Sequence, residues 1–203
     1  DLRAAINQLA QGGFSQTAKQ IQALAATGDN RVVPALQALL AGKLYFKKAG
    51  KQVFIIEQAS GGYALTDPLT GESAGTLARG AVKKIRVNNR LRRELKAALG
   101  SLTLLSKVAS VRMKAAEAVF KSQDPDSLEA LDAALAKETD DGVKKAMQEA
   151  RAAVLLKTDA PEADKLAALA AMEARGDRDA LSIVIATAAQ AEGALKAKAE
   201  KTA

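Results

Sequence analysis

The chain contains no cysteine and no histidine. Without cysteine there is no disulfide and no thiolate nucleophile, and the redox compartment stays open because cysteine-free chains occur on both sides of a membrane. Without histidine the commonest general base is gone, together with histidine-dependent triads and most zinc sites. Tryptophan is absent too, and aromatic residues make up 3% of the sequence, too few for the stacking platforms that hold single-stranded nucleic acid or sugars. Long apolar runs are also missing. The stretch from Ala4 to Ala18 is broken by Asn7, Gln8, Gln11 and Gly12-Gly13, and Ala180 to Ala191 covers only twelve residues, against about 20 for a spanning helix. Neither a methionine nor a basic-apolar leader opens the chain at Asp1, so it is read as a processed or trimmed piece of a longer protein.

What is present is positive charge, concentrated in one place. The 203 residues carry a net charge of +7, and the segment Arg79 to Lys96 carries that same excess by itself. It holds Arg79, Lys83, Lys84, Arg86, Arg90, Arg92, Arg93 and Lys96 against the single acid Glu94. These eight residues are the candidate contact for an anionic partner, protein or lipid; the competing reading is a solvated helix face beside a core stripe.

Periodicity divides the chain around this segment. Leu2 to Ala10 is a short amphipathic stretch ended by Gly12-Gly13. Phe14, Ala18, Ile21 and Ala25 then recur at helical spacing, and after Thr27-Gly28-Asp29 a second helix follows through Val32, Val33, Leu36, Leu39 and Leu40. Residues 1–42 are thus expected as a helical hairpin. Residues 43–87 change period: KLYFKK, KQVFIIE and YALT are strand-like runs separated by Ala49-Gly50 and Ser60-Gly61-Gly62. Four of the six aromatic residues, Tyr45, Phe46, Phe54 and Tyr63, lie here, so a three- or four-stranded antiparallel insert with its own small core is expected. A further strand or helical turn is optional near Val82 to Val87.

Helical spacing resumes at Val87, Leu91, Leu95, Ala98, Leu102 and Leu105. Gly100 falls inside this stripe, where glycine costs about 1 kcal/mol relative to alanine, and it is read as a mark of close packing or a kink. Farther on an internal repeat shows. Leu24, Asp29, Leu36 and Leu40 recur as Val119, Asp124, Leu131 and Leu135, and again as Met172, Asp177, Val184 and Ala188. An additional helix, Gly142 to Lys157, stands between the second and third hairpins. The expected fold is therefore mainly α: a short HEAT-like α-solenoid of helical hairpins over residues 88–190, with a small antiparallel β insert. Residues 191–203 lose their large apolar side chains and are expected as a linker toward a membrane part outside this sequence.

No catalytic constellation is visible, and no cofactor is expected. The acidic band of Asp124, Asp126, Glu129, Asp132, Glu138, Asp140 and Asp141 lacks the spacing of a calcium loop and sits at helix starts, where carboxylates satisfy free N–H groups. The glycine-containing segments Ala59 to Gly62 and Leu69 to Glu72 lack the Gly-Lys-Ser/Thr ending of a phosphate loop. Lys83 and Lys84 sit among other cations, with no apolar pocket in the sequence to lower their pKa.

The run Lys83 to Ser106, KKIRVNNRLRRELKAALGSLTLLS, resembles the extracytoplasmic N-terminal region of the permease subunit of urea-type ABC transporters (UrtB type), a branch of the branched-chain amino acid permease family. Gly42 to Tyr45, Tyr63 to Glu72 and the alanine-rich repeats after Val111 resemble it as well. The likeness extends over nearly the whole chain and is most specific from Ile85 to Leu105; it departs at Lys107-Val108-Ala109, where the family pattern has an acidic, proline-containing turn. It implies a periplasmic, non-catalytic module preceding a membrane-spanning permease, on the outer face of the bacterial inner membrane. The implied partners are a periplasmic solute-binding protein and the remaining transporter subunits, with an anionic membrane surface as a second contact for the basic stretch. The alternative is a soluble HEAT-like scaffold binding nucleic acid or other proteins, supported by the pI of 9.6 and a basic helix; nucleic acid is the less favoured partner.

Overall fold

Helices carry most of the chain, beside one small antiparallel sheet of five strands. The structure, a computed structural model, describes residues 1–203. The chain divides into two units, Asp1–Leu102 and Thr103–Ala203. The first core therefore takes in the hairpin, the β insert and most of the basic helix, which the sequence pattern had assigned to three successive segments.

In the first unit, α1 (Leu2–Asn7) starts where the Asp1 carboxylate accepts from the Arg3 N–H. It is followed by α2 (Phe14–Ala26) and α3 (Val33–Leu40), then by β1 (Leu44–Lys47), β2 (Val53–Ala59), β3 (Gly62–Thr66), β4 (Ser73–Leu77), β5 (Val82–Lys84) and α4 (Asn89–Leu104). The sheet order is β4-β3-β2-β1-β5, so the optional strand near Val82 is real and closes the side of β1 away from β2. Ser73–Leu77 supplies the fourth strand. Alternation along the strands splits the aromatics. Leu44, Phe46 and Val53 face a helical core built from Ile6, Ile21, Leu36, Leu39, Leu91 and Leu95, while Phe54, Ile56 and Leu65 form a small cluster with Tyr45 and Tyr63 on the other face. The insert thus owns a minor core but is anchored by its major one. Asn7 accepts the Val53 N–H at 2.9 Å, and Arg3 pairs with Asp67. Gly62 is held by close approach, since a Cβ there would lie 2.3 Å from the Leu77 carbonyl oxygen.

The second unit contains α5 (Ala109–Ser122), α6 (Leu128–Leu135), α7 (Asp141–Leu155), α8 (Glu162–Arg175), α9 (Arg178–Gln190) and α10 (Gly193–Thr202). Helix α7 packs against α5, α6 and α8, and α10 packs against α9 and α8. Residues 191–203, expected as a linker, are mostly helix. Their alanines provide the contact: Ala199 is fully buried, and Leu195 packs on the same core. The apolar stripe of α4 also ends sooner than its spacing implies, because Leu105 lies past the helix and is exposed. Gly100 lies within an uninterrupted α4.

The three hairpin turns share more than an aspartate. Gly28, Gln123 and Gly176 each adopt a left-handed backbone, with φ of +63°, +50° and +66°, and the next residue caps the following helix or helical turn. Asp29 accepts from the Arg31 N–H, Asp124 from Asp126 and Asp177 from Ala180. Leu36, Leu131 and Val184 are buried at matching positions.

Candidate functional site

The basic segment is distributed over three elements of the first unit. Arg79 stands in a short helical turn, Arg79–Ala81, with its guanidinium 5.7 Å from the Tyr63 ring centroid. Lys83 and Lys84 are on β5, Arg86 follows it, and Arg90, Arg92, Arg93 and Lys96 are on α4. All are exposed except Lys96, which is half-buried.

Helix α4 begins with the Asn88 side chain accepting the Leu91 N–H at 2.9 Å, and its first turn contains no acid. Cations at a helix N-terminus oppose the macrodipole by about 0.3–1 kcal/mol each at low salt. Arg90 is partly relieved by Glu94, 3.0 Å away; Arg92 and Arg93 form no ion pair.

Acids elsewhere are engaged. Glu138, its side chain 1% exposed, takes two hydrogen bonds from the Arg112 guanidinium, at 2.6 and 2.9 Å, and also accepts the Thr139 and Asp140 N–H groups. The Arg112 contact is the main reason its carboxyl sits below the usual range. Asp132 pairs with Arg151 and Asp140 caps α7. Within the acidic band, Asp124 and Asp140 thus serve as caps and Asp132 and Glu138 as ion-pair partners. The glycine-containing segments occupy the β2–β3 and β3–β4 turns. In the second of these, burial alone would raise the Asp67 carboxyl, but the N–H groups of Thr70 and Leu69 and the Arg3 guanidinium outweigh it and hold it below its ordinary range.

A groove of about 470 Å³ brings part of the basic segment together with residues the sequence did not single out. Lys83, Lys84 and Arg86 line one side of it, and Lys51 from the β1–β2 turn joins them. Leu9, Phe46 and Ile85 supply apolar lining, and Phe14, 46% exposed, stands at the start of α2 beside Gly12 and Gly13. The Lys51 ammonium lies 4.7 Å from the Phe46 centroid, a cation–π distance. Lys51 sits in a lysine-containing turn like many others, so only the fold connects it with the basic segment. Arg79, Arg90, Arg92, Arg93 and Lys96 do not line the groove. Its chemistry suits an anion carried on an apolar body.

Compared with protein-family profiles, curated proteins and solved structures, the chain shows no match.

Proposed function

We propose that this chain is a non-catalytic interaction domain, HEAT-like in its helical hairpins, on the periplasmic side of a urea-type ABC permease. Its basic first unit docks an acidic protein partner, the solute-binding protein of the same transporter. The observation that carries the docking role is the placing of exposed Arg92 and Arg93 near the N-terminal end of α4, where they form no ion pair within the chain. The recurrent left-handed residue followed by a capping aspartate supports the hairpin repeat. The transporter assignment rests on the resemblance from Ile85 to Leu105. No helix is long and apolar enough to cross a membrane; on this reading transport itself is the work of another part of the permease.

The test is binding of the purified solute-binding protein to the wild type and to an Arg92→Glu/Arg93→Glu variant over a salt series, with anionic vesicles measured separately. Electrostatic steering predicts an association rate that falls with salt and drops about tenfold on charge reversal. Binding to vesicles alone, or to duplex DNA alone, overturns the protein-docking reading. Sequencing the parent gene tests the assignment: a secretory leader upstream and several apolar segments of about 20 residues downstream are expected.

A further inference from the structure

We infer that the groove beside β5 receives an extended acidic segment of the partner protein, which joins the sheet as a sixth strand. This deepens the docking role proposed above and rests on it.

Strand β5 is an edge. Lys83 and Lys84 lie opposite Phe46 and Tyr45 in the antiparallel pairing with β1. The Ile85 N–H donates to the Leu44 carbonyl and the Lys48 N–H to the Ala81 carbonyl, both at 3.0 Å. Ala81, Lys83 and Ile85 therefore turn their backbone groups toward β1, and the intervening Val82 and Lys84 turn theirs outward. Those N–H and C=O groups are the template that strand addition uses, with affinity from the main chain and selectivity from side-chain pockets.

The other edge, β4, differs. Its pairing with β3 shifts register between Ala64 and Thr66, and its residues, Ser73 to Leu77, carry no charge. At β5 the edge adjoins the groove, where the exposed Phe14 and the edges of the buried Phe46 and Ile85 lie beside Lys51, Lys83, Lys84 and Arg86. Lysines on an edge strand ordinarily repel a second copy of the same strand. The same charges accept an acidic one, so the edge excludes its own kind and selects its opposite.

Lys51 provides the independent mark. Its φ of +56° is in the left-handed region, where glycine or asparagine is at ease and a long side chain is strained. The lysine occupies it all the same, with its ammonium over Phe46 in the groove. The first turn of α2, whose N-cap Gly13 provides no side-chain hydrogen bond, borders the same space and adds a partial positive charge to the four full ones.

The probe is a synthetic peptide of about six residues, the usual strand length, alternating glutamate with valine, beside a lysine–valine counterpart and a version N-methylated at alternate residues. Hydrogen exchange on the full chain reads the mode of binding. The glutamate peptide is expected to slow exchange at the Val82 and Lys84 amides. N-methylation on the pairing edge, or Lys83→Glu/Lys84→Glu, should weaken it at least about tenfold, that is by about 1.4 kcal/mol. Binding without protection at Val82 and Lys84, indifference to N-methylation, or equal binding of the lysine peptide overturns the inference. Competition by acetate or inorganic phosphate at equal concentration overturns it too, because a small anion uses no strand edge. If the solute-binding protein binds and loses affinity on reversal at Arg92 and Arg93 while the peptide fails, only this inference falls; if neither binds, the docking role falls with it.

Discussion

The guanidinium of Arg175 lies 3.9 Å from the centroid of the Phe120 ring and reaches three carboxylates, Glu149 at 2.6 Å, Asp177 at 2.8 Å and Glu117 at 3.3 Å. One side chain at the end of α8 thereby ties together α5, α7 and the cap of α9. Burial opposes its charge, but the hydrogen bonds it donates to Asp177, Glu117 and Glu149 outweigh that and hold the guanidinium firmly protonated.

Removing that guanidinium leaves the sheltered Glu149 with only the exposed Lys145, 4.0 Å away, as a cation. Arg175→Met is expected to destabilise the protein by about 3 kcal/mol, read as a lower urea midpoint. Arg175→Lys should recover less than half of this, because an ammonium neither stacks flat on a ring nor forks to several acids. Equal midpoints for Lys and wild type would reduce the contact to simple charge.

Acid should act chiefly through the depressed carboxyls. Glu138 is lowered mainly by Arg112, and Asp177 mainly by the Ala180 N–H. A group depressed in the fold gives its full stabilisation above its unfolded value, about 4.3 for glutamate, and loses it as pH falls through the folded value. The urea-midpoint gap between wild type and Glu138→Gln is therefore expected to be constant near neutrality and to shrink below about pH 4. A gap that widens on acidification would contradict the sign.

The hairpin turns predict opposite effects at neighbouring positions. Gln123→Gly should stabilise by up to about 1 kcal/mol, because its two counterparts with left-handed φ are already glycine. Asp177→Ala should cost about 1 kcal/mol for the cap alone, and more because the same carboxylate also binds Arg175. Thermal unfolding of the two variants checks both directions.

Helix α10 gives a further case. Ala199→Asp puts a carboxylate at a fully buried position and should destabilise by about 2 kcal/mol or more, where a loose linker would show no change. Deleting residues 192–203 should lower the urea midpoint as well.

How far the sequence reached is visible in single residues. Leu91, Leu95, Ala98 and Leu102 announced a buried stripe, yet spacing says that a face is covered and not by what. Their partners turned out to be the first core, which moves the boundary to residues 102 and 103. The aspartates of the hairpin turns were legible because capping chemistry is local. Strand β5 was only optional, since three residues carry little periodicity and its pairing with β1 is remote in sequence. Ala199 was missed because a search for large apolar residues overlooks burial achieved by a methyl group. Of the groove, Lys83, Lys84 and Arg86 stood out as charge, whereas Lys51 joined them only through the β1–β2 turn.

The second core is built largely of methyl groups. Nine of its nineteen buried residues are alanine, against four of eighteen in the first, so its helices meet on side chains that have no rotamer to change and no volume to give up. Such positions are lopsided in what they tolerate. Glycine or serine fits the space at a modest penalty, while any larger residue must force two helices apart. Over evolutionary time this unit is free to vary at its charged surface but is locked against enlargement within. Related sequences should then keep the smallest residues of this core in place.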